Sequence, residues 1–211
     1  MTKKQRAEII LKTLKKLYPQ PEKFLDSSND HEFLFAVILS AQTTDKNVNI
    51  VTPKLFKKFK TLQEYANAPT EQIQECISHI NYYRTKSQYI QKTAKTLLEK
   101  YNGLVPKTIE ELVLLPGVGR KTANVVLGNL FGIIEGIAVD THVIRLSQKL
   151  GLTKHKDPKK IEQELMKVLP KGDWFDFTNR LICYGREYCS AKNHNHENCP
   201  VTKMLLIRQL E

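Results

Sequence analysis

The sequence lacks the features that mark secreted and membrane proteins. Its first residues, Met1 to Arg6, contain no apolar core of a signal peptide. The most apolar segment, Phe33 to Ala41, is far shorter than the roughly 20 residues that a membrane-spanning helix needs. We therefore expect a cytoplasmic protein without a membrane partner.

Cysteine is also scarce, with four residues in a chain of 211. Four thiols in a cytoplasmic protein argue against a disulfide framework. Three of them, Cys183, Cys189 and Cys199, lie in one C-terminal window and need their own explanation.

Acidic residues are outnumbered by basic ones, 22 against 33, so the formal net charge is +11 and the pI is near 9.4. A chain this basic usually binds a polyanion, and nucleic acid is the leading candidate. The alternative is a solvated lysine-rich surface without such a partner, which charge alone leaves open.

No segment shows the sustained alternation of apolar and polar residues that a half-buried β-strand requires, and no low-complexity linker interrupts the chain. Apolar residues recur instead at helical spacing. This pattern predicts an all-α fold with essentially no sheet. The predicted helices lie near residues 9–17, 33–41, 48–59, 71–78, 90–102, 108–115, 120–131, 141–150, 158–169 and 175–185.

The segment Leu115–Ala123 has the form of a helix–hairpin–helix turn. Pro116 ends the first helix, and Gly117 and Gly119 permit unusual dihedral angles and a close approach of DNA. Backbone amides at the start of the next helix form an anion site. We expect the backbone from Gly117 to Arg120, including Val118, to bind a DNA phosphate. The alternative is a tight helical turn without a ligand.

Lys121 and Asp140 are the candidate catalytic residues. Lys121 lies in the first turn of the helix after the hairpin, where the helix dipole disfavours an ammonium and favours the free amine of a Schiff-base nucleophile. Asp140 precedes Thr141 at a predicted helix start, and an aspartate aimed in this way can stabilise a developing cation. Lys121 as a solvated surface lysine and Asp140 as a plain helix cap are the alternatives.

These motifs resemble those of the endonuclease III family of DNA base-excision glycosylases with abasic-lyase activity. The resemblance covers nearly the whole chain and is carried by Leu115–Asn124, Val139–Val143 and Ser40–Asp45. It implies that Lys121 attacks C1′ of a damaged pyrimidine nucleotide while Asp140 assists. The resulting imine then allows β-elimination and cleavage 3′ to the abasic site.

The resemblance also implies which residues would occupy the space that a flipped-out base leaves in the duplex. Gln42 would fill the gap and pair with the orphan base, and Tyr82 would act as a wedge. For Tyr82, packing at a helix end is an equally open interpretation. Asn81 stands where the family commonly has glycine, which leaves the geometry of that loop open.

The implied function is therefore a bifunctional DNA glycosylase and abasic-site lyase of base excision repair. It would act on oxidised pyrimidines in double-stranded DNA as a nucleoid-associated monomer. Two alternatives remain: a mismatch-directed glycosylase without lyase activity, and a non-catalytic DNA-binding protein that uses only the hairpin.

The C-terminal window departs from the family, which usually holds a [4Fe–4S] cluster with four cysteines. The matching positions here are Cys189, His196, Cys199 and Leu205, and leucine cannot bind iron. We therefore expect no metal, and a loop held by the packing of Leu205, Leu206 and Trp174. The less favoured alternative is a zinc site of three cysteines, Cys183, Cys189 and Cys199, with one histidine, His196 or His194.

The resemblance also implies two helical domains flanking a cleft. Residues 22–132 would form a helical barrel that ends in the hairpin, and residues 1–21 and 133–211 would form the second domain. Lys121 and Asp140 would then face each other at the mouth of the cleft.

Overall fold

A computed structural model of the chain describes residues 1–21 and 24–210. All regular secondary structure in these residues is helical, which confirms the predicted all-α class. None of the helices in this part of the chain is long and apolar enough to cross a bilayer.

The chain divides into two compact units, each with its own hydrophobic core. A continuous unit comprises Lys23–Ile133, and a discontinuous unit comprises Met1–Glu22 and Ile134–Glu211. Their predicted role as domains on either side of a cleft stays a prediction.

The continuous unit is built around one central helix. Its helices are α2 (Asp30–Ser40), α3 (Asp45–Lys58), α4 (Leu62–Asn67), α5 (Thr70–Ile77), α6 (Tyr83–Tyr101), α7 (Ile109–Leu112) and α8 (Arg120–Val126). Every residue of α2 from Glu32 to Leu39 is buried, because this helix is apolar on all sides and can be accommodated only inside a core. The Asn29 side chain caps α2 by accepting a hydrogen bond from the Glu32 amide.

The helix that follows the hairpin is shorter than predicted. It is α-helical only to Val126 and continues as a π-helix over Leu127–Phe131. Gly132, with φ of +64°, ends it in the left-handed conformation. The apolar spacing could not distinguish the two helix types, because both present the same residues to the core over so short a distance.

The discontinuous unit joins the N-terminal helix to the C-terminal third of the chain. Its helices are α1 (Lys3–Leu17), α9 (Thr141–Lys149), α10 (Pro158–Val168), α11 (Trp174–Glu187) and α12 (Pro200–Leu210). Short 3₁₀ turns cover Lys171–Asp173 and His196–Asn198. Ile10 and Leu14 of α1 are fully buried in one core with Phe177 and Tyr184 of α11.

Two helices were missed in the sequence. α4 has only six residues and depends on a Thr61–Glu64 capping box. α12 has apolar residues on several faces and shows no clear period. Thr70 is the first residue of α5, and its hydroxyl donates to Gln91 on α6.

Candidate active site

The hairpin turn is a closely hydrogen-bonded connection between α7 and α8. The Val118 amide donates to the Leu115 carbonyl at 3.1 Å, and the hydroxyl of buried Thr93 on α6 donates to the Pro116 carbonyl at 3.2 Å. The Val118 side chain is buried in the core. Val118 therefore supports the turn from inside, and its amide is already engaged.

The two glycines of the turn have different tasks. Gly117 has φ of +79°, and a Cβ there would lie 2.6 Å from the Tyr89 ring and 3.3 Å from Ile38. Gly119 has φ of −94°, and a Cβ there would meet nothing within 4 Å. Gly117 thus lets the turn pack against α2 and α6, whereas Gly119 leaves open space in front of α8.

Lys121 is exposed in the first turn of α8. The first backbone hydrogen bond of this helix runs from the Ala123 amide to the Gly119 carbonyl at 2.9 Å. The amides of Lys121 and Thr122 precede it, so they have no acceptor within the helix. Gly119 has no side chain to cap them. An exposed primary amine therefore stands beside backbone donors suited to an anion.

Asp140 is the N-cap of α9. Its Oδ1 accepts a hydrogen bond from the Val143 amide at 2.8 Å, and the residue is half-buried. The segment before it is held by Thr178 of α11, whose buried hydroxyl donates to the Ala138 carbonyl at 2.9 Å. The carboxylate is therefore held at a rigid helix start, and its second oxygen takes no part in the hydrogen bond to the Val143 amide.

The helix that carries Asp140 packs closely on α11. A Cβ on Gly185 would lie 2.6 Å from Nδ1 of His142 and 3.0 Å from Nη2 of Arg145. Only glycine therefore leaves room for these two side chains. Nη1 of Arg145 also donates to the carbonyls of Cys189 and Ser190, at 2.7 and 3.3 Å.

Gln42 and Tyr82 lie in two adjacent turns, each in the left-handed conformation that non-glycine residues rarely adopt. Their φ angles are +54° and +58°, and both side chains are exposed. The Asn81 side chain connects the turns by donating to the Gln42 carbonyl at 2.8 Å. Such conformations persist where the surrounding structure enforces them, and they cluster at functional sites.

A buried lysine on α6 holds the turn that carries Gln42. Nζ of Lys86 donates to the carbonyls of Leu39 and Ala41 at 2.8 and 2.6 Å, and to the Thr43 hydroxyl at 3.0 Å. Burial lowers the pKa of Lys86 to about 8. The three acceptors favour the ammonium, which remains the major form at neutral pH.

The C-terminal window gathers four potential metal ligands. One ligand atom from each of Cys189, His194, His196 and Cys199 lies within 4.8 Å of the other three. Both cysteines are buried and both histidines are half-buried. Cys183 does not belong to this group, and Leu205 is buried in the adjacent core.

Comparison with known proteins agrees with this arrangement of elements. Residues 35–171 match the HhH-GPD superfamily of base excision DNA repair proteins. The endonuclease III of Synechocystis is 48% identical over 90% of this chain and 87% of that relative, and the Bacillus subtilis enzyme is 44% identical over 95% and 91%. The chain belongs to the endonuclease III family.

Solved structures show the same relationship. A trapped endonuclease III–DNA covalent intermediate and a non-covalent endonuclease III–DNA complex each superpose with a TM-score of 0.91. Both are 41% identical to this chain, with complete coverage of both chains. A thermostable thymine-DNA glycosylase has a TM-score of 0.78 at 21% identity, which shows a shared fold only.

The expectation of a C-terminal loop without a metal is wrong. It followed from the spacing of Cys189, His196 and Cys199 and from Leu205. The structure places His194 beside these three residues, in a group that could hold a metal ion. The 3₁₀ turn at His196–Asn198 folds the loop back on itself. The proposed packing was also partly incorrect, since Leu206 is 44% exposed.

Sequence reasoning missed two residues that shape these sites. Lys86 has no signal, since nothing local distinguishes a buried lysine from its many exposed neighbours. Gly185 reads as an ordinary helical glycine until α9 is placed against it.

We predict that Gly117→Ala destabilises the continuous unit by about 2 kcal/mol or more, because the methyl group would overlap the Tyr89 ring in a strained backbone. Urea unfolding measures the loss. Gly119→Ala is the matched control, and it should cost less than about 1 kcal/mol. A Gly117→Ala protein as stable as wild type would contradict the described packing.

We predict that Lys86→Met lowers the free energy of unfolding by about 2–4 kcal/mol, because it leaves the Leu39 and Ala41 carbonyls without their donor. Thermal unfolding followed by circular dichroism measures the effect. Lys95→Met, an exposed position on the same helix, should change stability by less than about 0.5 kcal/mol. Equal stability of the two variants would contradict a structural role of Lys86.

Proposed function

We propose that the protein is a bifunctional DNA glycosylase and abasic-site lyase of base excision repair, and that Lys121 is its nucleophile. One observation carries the proposal: an exposed amine stands at the start of α8, directly after the Gly117–Gly119 turn. A family member with 41% identity over the full chain has been trapped as a covalent intermediate with DNA. Covalent capture of DNA requires a nucleophile, and Lys121 is suitably placed.

In the proposed reaction, Nζ of Lys121 attacks C1′ of the target nucleotide as the bond between C1′ and the base breaks. Loss of a proton and opening of the sugar ring give an imine between Nζ and C1′. Removal of a proton from C2′ then expels the 3′ phosphate and cleaves the strand. The same lysine thus serves both activities.

Asp140 has the properties needed for the charge that develops in this reaction. Its carboxylate is held by the Val143 amide, so little reorganisation would accompany the appearance of positive charge on the sugar. We propose that it stabilises this charge or takes the proton from Lys121.

The backbone of the hairpin is the proposed phosphate grip. The open space at Gly119 lets a phosphate approach the amides of Lys121 and Thr122, and Arg120 adds positive charge. Gly117 acts indirectly by setting the turn. The net charge of +11 supports double-stranded DNA as the partner.

Gln42 and Tyr82 are the proposed occupants of the gap that a flipped-out base leaves. Both are exposed, and Asn81 and Lys86 hold the turns that carry them. A polar amide can pair with the orphan base, and an exposed aromatic ring can stack between bases. Tyr82 has 65% of its surface exposed, so packing at the helix end leaves most of the residue accessible.

Three narrower points belong to the proposal. Oxidised pyrimidines as the substrate rest on the family resemblance, because no described side chain identifies the base edge. We also propose that the protein is a monomer and that it lies in the cytoplasm, associated with the nucleoid.

We predict that Lys121→Ala abolishes the covalent complex that borohydride traps between wild type and DNA containing an abasic site. Strand cleavage should fall by a factor on the order of 10³ or more, while folding is unaffected because the side chain is exposed. Lys100→Ala, also exposed in the continuous unit, should trap like wild type. Undiminished trapping by Lys121→Ala would refute the assignment. A wild-type protein that excises bases without trapping would be a monofunctional glycosylase.

We predict that Asp140→Asn reduces single-turnover base excision by about 100-fold or more while DNA affinity and stability change little. Asparagine caps a helix as well as aspartate does, so this substitution removes the charge and keeps the hydrogen bond. Asp140→Ala should in addition cost about 1 kcal/mol of stability. If Asp140→Asn excised the base at the wild-type rate, Asp140 would be only a helix cap.

A further inference from the structure

The four potential ligands of the C-terminal window surround one point. Sγ of Cys189 lies 3.3 Å from Nδ1 of His196, and Sγ of Cys199 lies 3.4 Å from Nε2 of His194. Zinc bonds of about 2.3 Å to sulfur and about 2.0 Å to nitrogen, at tetrahedral angles, would place sulfur and nitrogen roughly 3.6 Å apart. In these two pairs the donor atoms are thus already near the spacing that a single ion requires, and all four lie within 4.8 Å of one another.

Both imidazoles are hydrogen-bonded on the nitrogen that faces away from this point. Nδ1 of His194 lies 2.8 Å from the Lys192 carbonyl, which can only accept, so this nitrogen carries the proton. Nε2 of His196 lies 3.1 Å from the Thr202 hydroxyl. The opposite nitrogen of His194 is then available as a lone-pair donor, and that of His196 is available when its Nε2 donates to the Thr202 hydroxyl, as in metal sites whose histidines are oriented by outer partners.

The local fold explains why these side chains meet. The Cys189 amide donates to the Tyr184 carbonyl at the end of α11, and Cys199 immediately precedes Pro200 at the start of α12. Between them, the Asn195 side chain caps the 3₁₀ turn by accepting from the Glu197 amide. The loop therefore folds back on itself, and both histidines come to lie between the two cysteines.

The donor set does not fit the cluster that the family usually holds. A [4Fe–4S] cluster takes a thiolate at each of four irons, so its ligands must surround a cage of iron and sulfide. Here only two thiols are present, and donor atoms within 4.8 Å of one another leave no room for that cage.

A two-iron cluster with two cysteines and two histidines does not fit either. Both histidines would then bind one iron and both cysteines the other. In this structure each short contact instead pairs one thiol with one imidazole. A mononuclear site remains.

We propose that Cys189, His194, His196 and Cys199 form a structural zinc site in place of the family cluster. Two thiolates and two imidazoles, whose ligand atoms all lie within 4.8 Å of one another, are a donor set typical of structural Zn²⁺. Binding displaces the thiol protons, including the one that Cys199 donates to the Tyr188 carbonyl. The protein supplies all four ligands, so the ion has no open coordination position for catalysis. Its role is to link parts of the fold.

The zinc site links helices that otherwise meet through packing and through the hydrogen bond that the Val201 amide donates to the Tyr184 hydroxyl. It ties the end of α11 to the start of α12, and Arg145 extends the connection to α9 through the Cys189 carbonyl. α9 is the helix that Asp140 caps. The zinc site therefore supports the element that carries the proposed catalytic carboxylate, without touching the substrate.

Metal analysis of the full-length protein tests the proposal directly. Protein purified from cells supplied with both iron and zinc should contain about one zinc per chain, without iron or acid-labile sulfide. The reduced apoprotein should bind Co²⁺ with the intense visible absorption of a tetrahedral sulfur–nitrogen site, and zinc should displace it. Iron with stoichiometric sulfide, or an apoprotein that takes up neither cobalt nor zinc, would overturn the assignment.

Variants separate this ligand set from other choices. His194→Asn should weaken zinc binding at least about 100-fold in competition with a chromophoric chelator, and Thr202→Val should weaken it roughly 10- to 100-fold. Cys183→Ser, a thiol of α11 outside the group, is the matched control and should bind like wild type. Chelation of wild type should lower its melting temperature by roughly 5–10 °C and leave that of His194→Asn nearly unchanged. Zinc loss in Cys183→Ser with full binding in His194→Asn would refute the proposed ligands.

Discussion

The close approach of the Pro116–Gly119 turn to α2 and α6 is the constraint on which the proposed active site depends. Gly117 permits it by combining a positive φ with the absence of a Cβ. The buried Thr93 hydroxyl then holds the Pro116 carbonyl, and the core encloses Val118. Together these contacts determine where α8 begins, and hence where Lys121 and the amides beside it are presented. A mobile turn could bind a phosphate, but it could not aim an amine at one carbon atom.

The same physical device recurs in the discontinuous unit. Gly185 of α11 lets His142 and Arg145 of α9 pack where any side chain would overlap them. Arg145 then reaches the Cys189 carbonyl at the edge of the cysteine–histidine loop. In both units a glycine on a supporting helix or turn allows a functional helix start to be held closely. Polar contacts from buried side chains complete the positioning in each case, through Thr93 in one unit and Thr178 in the other.

Much of this could be predicted from the sequence, because the decisive signals are local. Helical periodicity predicted the fold class, and the Pro-Gly-x-Gly turn predicted the hairpin. What failed depended on contacts between distant segments. Lys86 finds its acceptors about 45 residues earlier in the chain, and no local pattern announces them. The C-terminal loop failed differently: the family spacing did not show which of the nearby cysteines and histidines meet, since ligand identity depends on where the loop folds back.

The central claim is that Lys121 forms the covalent bond to DNA. It is tested most directly by reducing the complex between wild-type protein and abasic-site DNA with borohydride, digesting both components, and locating the residual sugar by peptide mass spectrometry. We expect the adduct on Nζ of Lys121, in a peptide resistant to tryptic cleavage after that residue. An adduct on the N-terminal amine or on another lysine, or the absence of any adduct from a protein that cleaves the strand, would contradict it.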